Sequence, residues 1–208
     1  MIVIAFDIGI KNLAWSSVTY SLLPSDTAFT TTSTIITPEI EAQLIQKMNI
    51  LNLDVFDASL SRAKVDETED SNMISIYRRI HDYMNGLEYV WGSADVFLIE
   101  QQMSTGKVYN VKALKVSQHI IAYFMLRHPN KKVIEYNANL KTSLFGVHLR
   151  QKKDRKKWSI NKVHQMTVDD PVIQDYIDVF QKKDDVSDCI LMTFVYIFQT
   201  MIRKNKKN

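Results

Sequence analysis

Two short apolar runs constrain this chain more than any other feature. MIVIAF, residues 1–6, leads directly into Asp7, and DVFLI, residues 95–99, leads directly into Glu100. Both are rich in β-branched and aromatic residues and short for a helix, so both read as buried strands. For Asp7 the plain explanation is a turn, since with Gly9 it suits the bend of a hairpin joining residues 2–6 to 13–18. The chemical explanation is that a carboxylate at the end of a buried strand is held rigidly, as a metal or phosphate site requires. If the two strands are neighbours, Asp7 and Glu100 stand on one rim of the sheet.

LAWSSVTY alternates as the hairpin partner of the first strand, and SLLPSDTAFT has the composition of a loop. Residues 30–57 are ambiguous: TSTIIT and ILNLDVF look extended around a helical PEIEAQLIQKM, and a third strand plus an insertion spanning 24–65 is expected. From residue 70 the period turns helical. Met73, Ile76, Tyr77, Ile80, Tyr83, Met84 and Leu87 share a face, with Ser71 as the expected N-cap and Gly86 near the end. NVKALKVSQHIIAYFML is a second amphipathic helix, closed by His128 and Pro129, and KKVIEYN is a short strand. A basic loop follows, then helical patterns at 158–166 and 171–182 and a strongly apolar helix at 185–201. The order predicts an α/β domain: a mixed five-stranded sheet, an antiparallel meander followed by parallel strands, flanked by helices.

A chain of 208 residues, 46% hydrophobic and 24% charged, suits one globular domain covering 1–208. Nothing reads as a membrane span or a signal peptide, so an intracellular, non-secreted protein without a membrane partner is expected. The single cysteine, Cys189, cannot form an intramolecular disulfide and lies in the apolar helix, where it is expected to be inert. Net charge is only +3, but it is uneven. Lys141, Arg150, Lys152, Lys153, Arg155, Lys156 and Lys157 face a lone Asp154, and a basic tail at 203–208 adds Arg203, Lys204, Lys206 and Lys207. Acidic residues gather at 66–70 and 168–178. Such a basic run is either a solvated surface or a polyanion contact.

The last helix opens with KKDDVSD. Asp184 and Asp185 at its start are explained by the helix dipole. Asp188 is not, and it lies at i+3 from Asp185, so those two side chains share a face. Asp7, Glu100, Asp185 and Asp188, if brought together, would repel one another without a cation. All-oxygen ligands favour Mg²⁺ or Mn²⁺, and a pair of such ions about 3.5–4 Å apart is the arrangement for in-line phosphodiester hydrolysis.

FDIGIKNLAW, LIEQQ, RQKKDRKKWSINK and KKDDVSDCILM, in this order, resemble the RuvC-type Holliday junction resolvases, most closely those of poxviruses and related large DNA viruses. The resemblance implies an RNase H-like fold, a homodimer, and symmetric Mg²⁺-dependent nicking of four-way DNA junctions, with Mn²⁺ able to substitute. By motif, it implies metal-binding roles for Asp7, Glu100, Asp185 and Asp188, places Gln101 after Glu100 as in the family, and carries over a lysine of DRKK, Lys156 or Lys157, as catalytic. A poxviral origin would place the protein in the host cytoplasm. Beside such a site Arg150, Lys152, Lys153 and Arg155 become expected DNA contacts, as do Gln101 and, in the turn after Asp7, Lys11 and Asn12. Residues 30–57 and 168–181 match no motif of the family.

Other signals lead nowhere. STGKVYN has the Gly-Lys of a phosphate loop, but residue 101 is Gln where Gly is needed and Val108 follows the lysine. The five histidines lack the paired spacing of a zinc site, and Trp15, Trp91 and Trp158 suit a core better than a base-stacking platform. An actin-like or sugar-kinase ATPase also opens on FDIG, but five glycines in 208 residues cannot supply its second phosphate loop, so no nucleotide cofactor is expected. A DNA-binding protein without catalysis would carry the carboxylates at a repulsive cost. An RNase H or transposase-like nuclease shares the fold and metal logic and is the main rival.

Overall fold

A computed structural model describes residues 1–21, 33–59, 72–102 and 110–205, with side chains as far as residue 202. Its elements are β1 (Ile2–Asp7), β2 (Leu13–Tyr20), α1 (Pro38–Ile45), β3 (Met48–Phe56), α2 (Met73–Gly86), α3 (Glu88–Ser93), β4 (Val96–Glu100), α4 (Val111–Arg127), β5 (Lys132–Tyr136), α5 (Leu140–Ser143), α6 (Lys152–Met166), α7 (Pro171–Val179) and α8 (Lys183–Asn205). The sheet runs β3-β2-β1-β4-β5. β1 pairs antiparallel with β2 and β2 with β3, while β1–β4 and β4–β5 are parallel. This is the expected mixed five-stranded sheet, with the meander on one side of β1 and the crossovers on the other.

Period-two alternation gives the central strands two different faces. Val3, Ala5, Ala14, Val96 and Leu98 belong to a core built around α8, whereas Ile4, Phe6, Leu13, Trp15, Phe97 and Ile99 belong to a core shared with α2 and α4. The second core is aromatic, with Phe97 stacked on Phe124 at 3.8 Å between ring centroids and Trp15 edge-on to Trp91 at 4.8 Å. Past its acidic first turns α8 is buried on every side from Cys189 to Phe198, packing on β1, β2, α5, α6 and α7. Its stretch Lys183–Ile202 is long and apolar enough to cross a membrane by length and composition, and most of it is buried in the core instead.

Several sequence expectations need correction. The basic segment expected as a loop is helical from Lys152: lysine and arginine favour helix, no proline or glycine interrupts, and Asp154 sits in the first turn. α2 is capped by Asn72, whose side chain accepts from the Ile74 N–H at 3.1 Å; Ser71, the expected cap, lies outside the described residues. α3 was not anticipated, and it forms where Trp91 drives into the aromatic core. The described part of TSTIIT is not a strand; the Ile36 N–H donates to the Leu144 carbonyl at 2.7 Å and pins that loop against α5. The helix expected at 185–201 starts at Lys183, and the one at 171–182 ends at Val179. Residues 48–56 supply the third strand, while the rest of 24–65 and nearly all of STGKVYN fall partly or wholly outside the described residues. Trp15, Trp91 and Cys189 are buried, as expected, and Trp158 packs partly buried against Phe145.

Candidate active site

The alternation that sorts the core also places the carboxylates. Asp7 follows Val3 and Ala5 at period two, and Glu100 follows Val96 and Leu98, so both side chains project toward α8. Phe6 pairs with Ile99 in the parallel register, which sets Asp7 and Glu100 side by side at the strand ends. Small side chains let α8 lie close to the sheet there. Ala5 and Ala14 are fully buried under it, and Ser16 is the cross-strand partner of Ala5. The first turns of α8 then bring Asp184, Asp185 and Asp188 to the same rim. The β1–β2 turn is equally tight, because a Cβ on Gly9 would lie 2.5 Å from the Asn12 carbonyl oxygen. Glycine there is a steric requirement, and it seats Asn12 on the edge of the site.

Two lysines are locked into this cluster. Lys141, on the short α5, ion-pairs with Asp188 Oδ2 and lies 3.9 Å from Glu100 Oε1. Lys156, on α6, ion-pairs with Asp184 and lies 4.0 Å from Asp185 Oδ1. Gln102 donates from Nε2 to Glu100 Oε2 at 3.2 Å. Asp188 Oδ1 is buried and accepts no hydrogen bond.

The electrostatics record crowding of like charge. Burial, and then the charges of Glu100 and Asp188, hold the Asp7 carboxyl well above the usual carboxylate range despite Lys141. Burial and the neighbouring Asp184 push Asp185 up to about 6. Burial also raises Asp188 against the pull of Lys141. Both lysines are shifted upward: burial opposes the charge, but Asp188 and Glu100 outweigh it at Lys141, and Asp184 and Asp185 at Lys156. Burial raises the Cys189 thiol well above its ordinary value, in keeping with an unreactive side chain.

These groups line a cleft of about 460 Å³. Asp7, Glu100, Asp184, Asp185 and Asp188 line it together with the basic Lys152, Arg155 and Lys156 of α6. Helical geometry explains which of the basic residues reach it. Positions 152, 155 and 156 share a face that continues into buried Ser159 and Val163, while Lys153 and Lys157 are exposed and do not line the cleft. Arg155 Nη1 also donates to the carbonyls of Leu149 and Arg150 at 3.3 and 3.1 Å, tying down the segment before α6. Arg150 is exposed and off the cleft, as are Lys11 and Gln101; Asn12 and Gln102 line it. Sequence reasoning counted Lys141 only as one of the basic run. Its apolar neighbours Leu140 and Leu144 suit burial of this stretch, but nothing in the sequence names the carboxylates as its partners.

Among the described residues no three Asp, Glu, His or Cys groups are posed to hold one metal ion, and Lys141 stands between Asp188 and Glu100. The donor chemistry nonetheless fits a divalent cation: oxygen ligands only, buried, mutually repelling, with an unpartnered carboxylate oxygen on Asp188.

No protein-family model matches the chain. It is 28% identical to the uncharacterized protein 97L of Invertebrate iridescent virus 3, over 92% of this chain and 97% of that protein. Among solved structures, the Fowlpox virus resolvase in complex with substrate Holliday junction DNA superposes with a TM-score of 0.60 at 18% identity, covering 96% of this chain and 99% of that one. The yeast mitochondrial Holliday junction resolvase Ydc2 gives 0.62 at 13% identity, over 99% of this chain and 83% of its own. Thermus thermophilus RuvC gives 0.55 at 13% identity, over 97% and 98%. What these structures share with the chain is the fold, the one its motifs had implied.

Proposed function

We propose that this protein is a metal-dependent endonuclease that resolves four-way DNA junctions by paired, symmetric nicks. One observation carries the proposal: carboxylates from two parallel strand ends and one helix share a single cleft with the basic Lys152, Arg155 and Lys156 of α6. Acidic groups alone would repel a phosphodiester, and basic groups alone would only bind it. The fold shared with junction resolvases over nearly the full chain supports the same reading.

Asp7, Glu100, Asp185 and Asp188 are the residues that would hold Mg²⁺ or Mn²⁺, as one or two ions. When bound, such ions supply a nucleophilic water at neutral pH and stabilise charge on the phosphate. Lys152 and Arg155 face the strand from α6 and neutralise its phosphates. Of the two lysines of DRKK, Lys156 is the one on the cleft, where its ammonium, held by Asp184, is placed to meet charge developing on the scissile phosphate. Asn12 borders the same space from the rigid β1–β2 turn.

Symmetric nicks require two sites related by a two-fold axis, hence a C₂ homodimer. The outer face of α4 suits it: Val111, Met125 and Leu126 are 43%, 61% and 81% exposed, though Leu114 and Ile121 are partly covered. The decisive experiment incubates the protein with labelled four-way junction, linear duplex and RNA–DNA hybrid in Mg²⁺, and maps the cuts. Paired cuts placed symmetrically about the branch point are expected. Cleavage of the hybrid alone would assign an RNase H-type nuclease, and a monomer in sedimentation equilibrium making uncoupled single nicks would end the dimeric reading.

A further inference from the structure

We propose that Lys141 is a resident counter-ion, its ammonium neutralising the carboxylate cluster when metal is absent and competing with metal for Asp188. This rests on the metal-site reading above and adds to it a determinant of how tightly the site binds. Lys141 differs from Lys156 in kind. Its side chain is 10% exposed, against 37% for Lys156, and it is carried by α5 rather than by α6 with the other basic residues of the cleft. It bonds Asp188 Oδ2 and lies 3.9 Å from Glu100 Oε1, between the strand-borne and helix-borne carboxylates. Asp188 Oδ1 has no partner of its own.

A buried set of carboxylates with no cation is costly, and one ammonium at their centre removes much of that cost. It does so incompletely, because three N–H donors on a single positive charge cannot satisfy every oxygen. A divalent ion carries twice the charge and takes several oxygens at once. Lysine is suited to yield, being a point charge on a flexible four-carbon stem. The site is therefore preassembled without metal, and metal affinity is held down by the work of displacing Lys141.

The test is Mn²⁺ titration of the full chain by calorimetry and electron paramagnetic resonance, comparing wild type, Lys141→Met and Lys141→Gln. Removing the competing charge should tighten Mn²⁺ binding by about tenfold or more, lower the metal-free melting temperature, and enlarge the rise that Mn²⁺ produces. Lysine labelling of the wild-type protein gives a measurement that needs no variant. Lys141 should resist an amine-reactive reagent without metal and become reactive with saturating Mn²⁺, while Lys157 labels in both states. Wild-type binding that Lys141→Met leaves unchanged or weakens, or Lys141 labelling indifferent to Mn²⁺, overturns the counter-ion role and leaves the metal site standing. Absence of Mn²⁺ binding in every form overturns both.

Discussion

The same strands serve two unlike neighbours. Toward α2 and α4 they present Ile4, Phe6, Trp15, Phe97 and Ile99, large side chains that interlock with Trp91 and Phe124. Toward α8 they present Val3, Ala5, Ala14 and Ser16, and then the carboxylates Asp7 and Glu100. Large residues on one face supply apolar burial, and small ones on the other permit the close approach that crowds charge together. The aromatic face is built for stability; the α8 face spends part of it on a cluster of carboxyls held above their normal range.

That division predicts opposite outcomes for mutations on the two faces. On the proposed function, the largest effect is expected from Asp7→Asn or Asp188→Asn, which should lower junction cleavage by about a thousandfold or more, since losing a metal ligand would forfeit several kcal/mol of transition-state stabilisation. Asp7→Asn should also leave the metal-free melting temperature unchanged or higher, because a repelled, buried carboxyl becomes neutral. A lower melting temperature would show that Asp7 is a structural anion. Across the sheet the pattern reverses. Phe97→Ala should cost about 3–5 kcal/mol in denaturant unfolding, with cleavage per folded molecule near wild type in conditions where it remains folded.

Smaller changes sharpen the contrast. Ala5→Leu should overpack the α8 interface by about 1–3 kcal/mol and, by shifting Asp185 and Asp188 relative to Asp7, also reduce Mn²⁺ binding. Ile4→Val, one residue away on the other face, should cost about 0.5–1.5 kcal/mol without altering Mn²⁺ binding; equal effects from the two would show that the distance between α8 and the sheet does not matter. In EDTA, carboxyls with raised folded-state pKa favour the fold when protonated, so their contribution is full below the unfolded value and is lost as pH rises through the folded one. For Asp185 that window runs from the ordinary 3.8 to about 6. The metal-free melting temperature should show this loss across the window, and Asp185→Asn should flatten it. The smallest effect separates two faces of α6. Replacing Lys152 and Arg155 should reduce the slope of log affinity against log salt by about one per lost phosphate contact, and replacing Lys153 and Lys157 should change it less.

The sheet was legible because its signals are local: β-branched runs, one hairpin, and two amphipathic helices with a clear period. Asp7 and Glu100 were legible for the same reason, each being the lone charge at the end of such a run. The basic segment was misread because charge density resembles a loop, whereas the helix of 152–166 is stabilised largely through the packing of Ser159, Val163 and Met166, which shows only in three dimensions. Its helical form turns Lys156 onto the cleft and leaves Lys157 exposed off it, a difference of placement that spacing alone did not give. Lys141 escaped notice as a site residue because nothing in its neighbourhood of sequence reveals that Asp188 and Glu100 lie beside it.

The position of α8 in the chain has a consequence in time. Asp7 is made before the other carboxylates of the cluster, whereas Asp185 and Asp188 are made only after every strand of the sheet. The helix that carries them is also the one around which Val3, Ala5, Leu98 and Val163 close. A nascent or truncated chain lacking it has neither the centre of that core nor Asp184, Asp185 and Asp188, so it holds Asp7 and Glu100 without the rest of the acidic cluster. Long-range contacts of this kind form late. The acidic cluster therefore cannot be completed before synthesis has passed the first turns of α8, however much of the sheet has already formed.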